Sequence, residues 1–145
     1  MKKYVISLLL SISCIFAVYT QDFSTNLGLG FVYPLERTYV NVELCDKIAP
    51  NYSLALSADI SKVETNLSPK LKINVKNICL DLGFGWGHKF AKANISDHNF
   101  HTYTVGLYWL KNRYYFGGSM FWRSYESHIG FHKGTLRLCL GCKIL

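Results

Sequence analysis

Residues 78–87 run Ile78-Cys79-Leu80-Asp81-Leu82-Gly83-Phe84-Gly85-Trp86-Gly87, a large apolar side chain at every even position and a small or charged one at every odd position. In an extended strand successive side chains point to opposite faces, so this stretch has one greasy face and one face of Cys, Asp and Gly. The same period of two extends in both directions, with Gly, Pro, Asn and Asp gathered between the alternating runs and no helical spacing. Upstream, Phe23, Leu27, Leu29, Phe31 and Tyr33 oppose Ser24, Asn26, Gly28 and Gly30; Val40, Val42 and Leu44 oppose Tyr39, Asn41 and Glu43; Tyr52, Leu54, Leu56 and Ile60 oppose Ser53, Ala55, Ser57 and Asp59. Leu71, Ile73 and Val75 continue on odd positions, and the apolar parity then shifts to even at Asn77. One strand spanning residues 71–88 would be too long, so the shift predicts a tight turn there. Downstream come Tyr103 to Trp109, Tyr114 to Trp122 and Leu136 to Ile144. The count is eight strands and the class all-β.

Alternation alone does not say which row meets water. A row facing bulk solvent has no size limit and carries many long charged side chains. Here the polar row holds eight of the chain's 11 glycines (28, 30, 83, 85, 87, 106, 117 and 141) together with Ser, Ala, Thr and Asn. Small residues suit a confined interior, because eight strands enclose a space just wide enough for side chains to fill. The charges on that row, Glu43, Asp59 and Asp81 against Lys72, Arg123, Arg137 and Lys143, are of both signs, as enclosed charges require if each is to find a partner. The opposite row, nearly free of charge, then faces hydrocarbon, with Tyr33, Tyr52, Trp86, Trp109, Tyr114 and Trp122 near strand ends as an aromatic girdle. The expected fold is a single up-and-down antiparallel eight-stranded transmembrane β-barrel.

Connection lengths give its sidedness. With the first strand starting on the periplasmic side, short turns at residues 46–50, at Asn77 and at residues 111–113 fall on that side. Longer segments at residues 34–37, 61–69, 89–99 and 125–133 fall on the outer side, which is the outer-membrane pattern.

Lys2 and Lys3 precede an apolar run over residues 4–18, and Gln21 and Asp22 restore polarity. That is the layout of a signal peptide over residues 1–20, cleaved after Ala17 or Thr20, leaving one β-barrel domain over residues 21–145. A hydrophobic content of 50% with 15% aromatic and 17% charged residues excludes intrinsic disorder, and no later run approaches the roughly 18 apolar residues of a spanning helix. Without Lys2 and Lys3 the formal net charge falls from +7 to +5 with no basic tract, which argues against a nucleic-acid partner.

Several constellations carry potential chemistry. Cys45, Cys79, Cys139 and Cys142 permit two disulfides in an oxidising compartment, with Cys45 and Cys79 on the inward row near the periplasmic end. Cys139 and Cys142, three apart on a strand, face opposite ways, against a metal or redox role. All five histidines, His88, His98, His101, His128 and His132, fall in or beside two outer loops. Such a cluster has the chemistry for zinc, copper or haem, but its pairs would need helical loops to share a face and the segments read as irregular, so polar loop decoration is the favoured reading and no metal or cofactor is assigned. Ser124, Glu126, Ser127 and His128 include the residue types of a serine hydrolase without its motif, so no catalytic residue is assigned. The triplets at Asn51, Asn66 and Asn94 match the N-glycosylation pattern, slightly more often than chance, and favour the alternative of a soluble secreted barrel.

Taken over the whole length beyond residue 20, and on strands such as residues 78–86, the chain resembles the superfamily of small eight-stranded bacterial outer-membrane β-barrel proteins. The resemblance implies a bacterial outer-membrane location and lipid as surroundings, in a monomer. The expected role is structural or surface-binding, with an extracellular ligand or protein as partner through the outer loops; neither a pore nor an enzyme is expected. The alternatives are a soluble lipocalin-like carrier of an apolar ligand and a lipid-modifying outer-membrane enzyme.

Overall fold

A computed structural model of the chain describes residues 23–33, 37–90, 98–125 and 134–144. The leader expected over residues 1–20 lies outside them. Eight strands follow in order: β1 Phe23–Tyr33, β2 Arg37–Ala49, β3 Tyr52–Ile60, β4 Glu64–Val75, β5 Ile78–Lys89, β6 His98–Lys111, β7 Tyr114–Tyr125 and β8 Thr135–Lys143. Each pairs antiparallel with the next, and β1 also pairs with β8, Gly28 opposite Gly141, which closes the sheet into an up-and-down barrel. Closure leaves no edge strand, so each strand is laddered to a neighbour on both sides.

The turn at Asn77 is there. Lys76 and Asn77 join β4 to β5, and Asn112 and Arg113 join β6 to β7. In each of these two-residue turns the first residue takes a left-handed conformation, φ 53° at Lys76 and 56° at Asn112. The β2–β3 connection is shorter than the sequence implies, because β2 runs on to Ala49 past a register shift at residues 47–49, leaving Pro50 and Asn51.

Two of the long outer segments are also shorter than expected. The stretch 61–69 is not a loop beyond Val63. Ser61 folds it back at once: its backbone N–H donates to the Glu64 carbonyl at 2.9 Å, and its hydroxyl accepts from the Glu64 N–H at 3.1 Å. From Glu64 the chain is strand, Ser57 opposite Ser68 and Asp59 opposite Asn66. Pro69, which reads as a loop residue, stands on the outward row; it has no N–H to give, and the ladder to β5 skips Ser68 and Pro69 before resuming at Lys70. Likewise β5 reaches Lys89 and β6 begins at His98, so the third outer connection is confined to residues 90–97.

The wall is inverted relative to a soluble barrel. Along β3, Ser53, Ala55, Ser57 and Asp59 turn inward while Tyr52, Leu54 and Leu56 are exposed. Leu29 is 68% exposed and Leu140 60%, whereas Asp81 is 1% and Ser57 0% exposed, so the greasy row is outside and the polar row is the core.

Candidate functional site

The polar row converges on the lumen, whose two halves differ. Toward the hairpin-turn end, β2, β4 and β5 direct Glu43, Lys70, Lys72 and Asp81 to one another. Lys70 Nζ lies 3.4 Å from Glu43 Oε2 and 3.9 Å from Asp81 Oδ2; Lys72 Nζ pairs with Glu43 and lies 3.8 Å from Asp81 Oδ1. Two cations and two anions thus alternate in a neutral ring. Asn26 Nδ2 donates to Glu43 Oε1 at 3.0 Å, and the thiols of Cys45 and Cys79 donate to Glu43 and Asp81 at 3.2 and 3.1 Å. The ring borders a cavity of about 250 Å³, lined further by Ser24, Asn74, Tyr108 and Tyr115, that extends to Arg113 and Lys143 at the rim.

Midway up, Asp59 pairs with Arg137 and accepts from Asn41 Nδ2 at 2.7 Å. Asn66 Nδ2 donates to Ser68 Oγ at 2.8 Å and its carbonyl oxygen accepts from the Thr102 hydroxyl at 3.1 Å. Above this layer Arg123 pairs with Glu64, whose other oxygen lies 3.5 Å from Arg37. Rings and guanidiniums alternate here. The Arg123 guanidinium sits 5.1 Å from the Phe100 ring centroid and 5.0 Å from that of Phe121; Arg137 sits 3.9 Å from Phe121 and 5.1 Å from Tyr39. Phe100 and Phe121 are fully buried. The glycines opposite make the room: a Cβ on Gly30 would fall on the Tyr39 ring, and one on Gly87 on the Phe100 ring. This stack spans the lumen in its outer half.

Of the charges expected inside, Glu43, Asp59, Lys72, Asp81, Arg123 and Arg137 all belong to these networks. Lys143 does not: it is the last residue of β8, where the barrel opens, and its side chain is exposed at the cavity mouth. Sequence reasoning misses Glu64, which falls in the expected outer segment 61–69, and Lys70 and Arg37, which it assigns to neither row. Their signal was present, since the parity of Leu71 continues backward through Leu67 with Glu64, Asn66, Ser68 and Lys70 on the other row.

The remaining candidates come apart. The four cysteines among the described residues are free thiols, so neither of the two disulfides the sequence permits is formed; three are buried in the lumen. Cys142 is only partly covered. His88 Nδ1 lies 2.9 Å from Asn99 Oδ1, and the His101 ring stacks on Phe84 at 5.9 Å and 15°, both on the outward row. His128, His132, Glu126 and Ser127 lie outside the described residues, as does the Asn94 triplet; among the described residues no three of His, Cys, Asp and Glu gather as a metal site. Asn66, the centre of one glycosylation triplet, is 4% exposed inside the lumen, out of reach of a glycan.

Neither a family model nor a curated protein matches the chain. Among solved structures it matches the crystal structure of the N-terminal β-barrel domain of Pseudomonas aeruginosa OprF, with a TM-score of 0.56 at 12% identity, over 86% of this chain and 96% of that one. The two share one fold. The likeness to the OprF domain is architectural, that of a closed β-barrel, and extends along nearly its whole length.

Proposed function

We propose that the protein is a monomeric β-barrel of a bacterial outer membrane with a structural or surface-binding role, neither a diffusion pore nor an enzyme. What carries the reading is the inverted wall: large apolar side chains, 39–68% exposed, on every strand of the barrel, around a core of ion pairs. Apolar side chains in that number would not be left in water, since each gains roughly 1.5–3 kcal/mol by leaving it. A fatty-acid-like cargo fits poorly in a lumen of paired carboxylates, lysines and arginines, which disfavours the soluble carrier. The ring and guanidinium stack favours a closed barrel over a pore. Partners would then be met through the outer loops, since rigid barrels commonly work through loops on a fixed scaffold.

Fractionation and planar-bilayer recording test this together. The expected result is extraction from membranes only by detergent, a gel mobility that changes on boiling, and no conductance above the bare bilayer. Solubility without detergent overturns the membrane assignment; steady conductance overturns the closed lumen.

A further inference from the structure

Every connection on the hairpin-turn side of the barrel, and the end of β8 beside them, carries an exposed cation. Lys47 lies at the β2–β3 connection, Lys76 in the β4–β5 turn, Lys111 and Arg113 at the β6–β7 turn, and Lys143 at the end of β8. Asp46 is the one acid beside them among the described residues. The positions are spaced around the circumference: Lys47 is opposite Ser53 in the β2–β3 ladder, the Leu110 N–H next to Lys111 donates to the Asn77 carbonyl at 2.7 Å, and the Lys143 N–H donates to the Arg113 carbonyl at 2.6 Å. Just above them on the outward row stand Tyr52, Trp109 and Tyr114, each about half exposed or more, with Lys111 opposite Tyr114.

We propose that this rim binds the phosphate groups of anionic phospholipids in the leaflet that surrounds the turns. The inference rests on the membrane reading above. Its geometry selects the occupant: Lys111 stands on the outward row opposite Tyr114 and Lys76 in the neighbouring turn, with Lys47, Arg113 and Lys143 at the barrel mouth, so the charges ring the barrel end and match a plane of headgroups, whereas a protein or a glycan strand would need them gathered on one side. Amphipathic rings place this level at the interface, and the lysine stems are long enough to keep their ammonium groups among headgroups while the methylenes lie along the apolar wall. A cation near an anionic lipid surface strengthens its attraction about fivefold.

The test uses the full chain folded into vesicles of phosphatidylcholine, with or without phosphatidylglycerol, and counts retained lipids by native mass spectrometry. Boiling-sensitive mobility and protease protection in either vesicle report insertion separately. The expected result is enrichment of phosphatidylglycerol over its share in the bilayer, a smaller enrichment in K111Q/R113Q, and none in K47Q/K76N/K111Q/R113Q. The opposite-end pair K62Q/K89Q should leave the enrichment unchanged. Insertion without enrichment, enrichment that survives the fourfold variant, or loss in the opposite-end control overturns the rim; failure to insert into either vesicle overturns the membrane reading itself. Retention on purified peptidoglycan with no lipid preference also overturns the proposal, by giving the rim a different partner.

Discussion

Away from the turns the enclosed cations are Arg123 and Arg137, each layered between aromatic rings, whereas toward the turns they are Lys70 and Lys72, facing carboxylates; the cavity of about 250 Å³ is lined from both sides, by Lys70, Lys72 and Asp81 and by Tyr39, Asp59 and Arg137. The division follows the chemistry of the two cations. A guanidinium is planar, delocalised and weakly hydrated, so it can give up water for an aromatic face and a carboxylate at once. An ammonium is a compact charge without a flat face to stack, and here it is answered by the carboxylates of Glu43 and Asp81 alone. The outer half therefore holds its cations with rings and carboxylates together, and the turn half with a ring of alternating charges.

The largest expected effect comes from breaking the arginine side. Arg137→Met removes the cation from Asp59, which is 6% exposed and keeps only its amide donors, and should cost about 3–5 kcal/mol of stability. Urea unfolding in vesicles reads the loss directly. The double variant D59N/R137M should recover most of it, because no uncompensated charge is left. If the double variant is as unstable as the single one, burial of charge is not what the pair answers.

Next is Phe121→Ala, which removes the ring held between the two guanidiniums. It should cost about 3 kcal/mol and let water and ions into the stack, so that brief conductance events appear where the parent shows none. By contrast Lys70→Met in the turn half should cost less, about 2–3 kcal/mol, since Lys72 still faces both Glu43 and Asp81 and shares the charge left over. A loss equal to that of Arg137→Met would erase the distinction between the halves.

The wall was legible in the sequence and the stack was not. Alternation with glycine on one row is a local pattern, and the parity shift at Asn77 marked its turn, because a side chain's face is set by its neighbours in sequence. The segment 64–70 escaped notice for a reason specific to an inverted barrel: Glu64, Asn66, Ser68 and Lys70 are loop-like residues in composition, yet they are the core, and Pro69 broke the outward row between Leu67 and Leu71. The ring and guanidinium stack joins Tyr39 on β2, Phe100 on β6, Phe121 and Arg123 on β7 and Arg137 on β8. Only closure of the sheet brings these together, so no spacing along the chain announces it.

The smallest effect lies at the turn end, where the two tight turns differ in one residue. Both hold their first residue near φ 55°, but Asn112 is of a type that tolerates the left-handed region and Lys76 is not. Lys76→Asn should therefore stabilise the barrel by roughly 0.5 kcal/mol, a small rise in the urea midpoint. The same substitution removes one cation from the rim and should lower phosphatidylglycerol retention. Opposite signs in the two measurements would separate what Lys76 contributes to the fold, a strained backbone, from what it contributes to the surface, a charge; parallel loss of both would mean that the lysine is held there by contacts of its own.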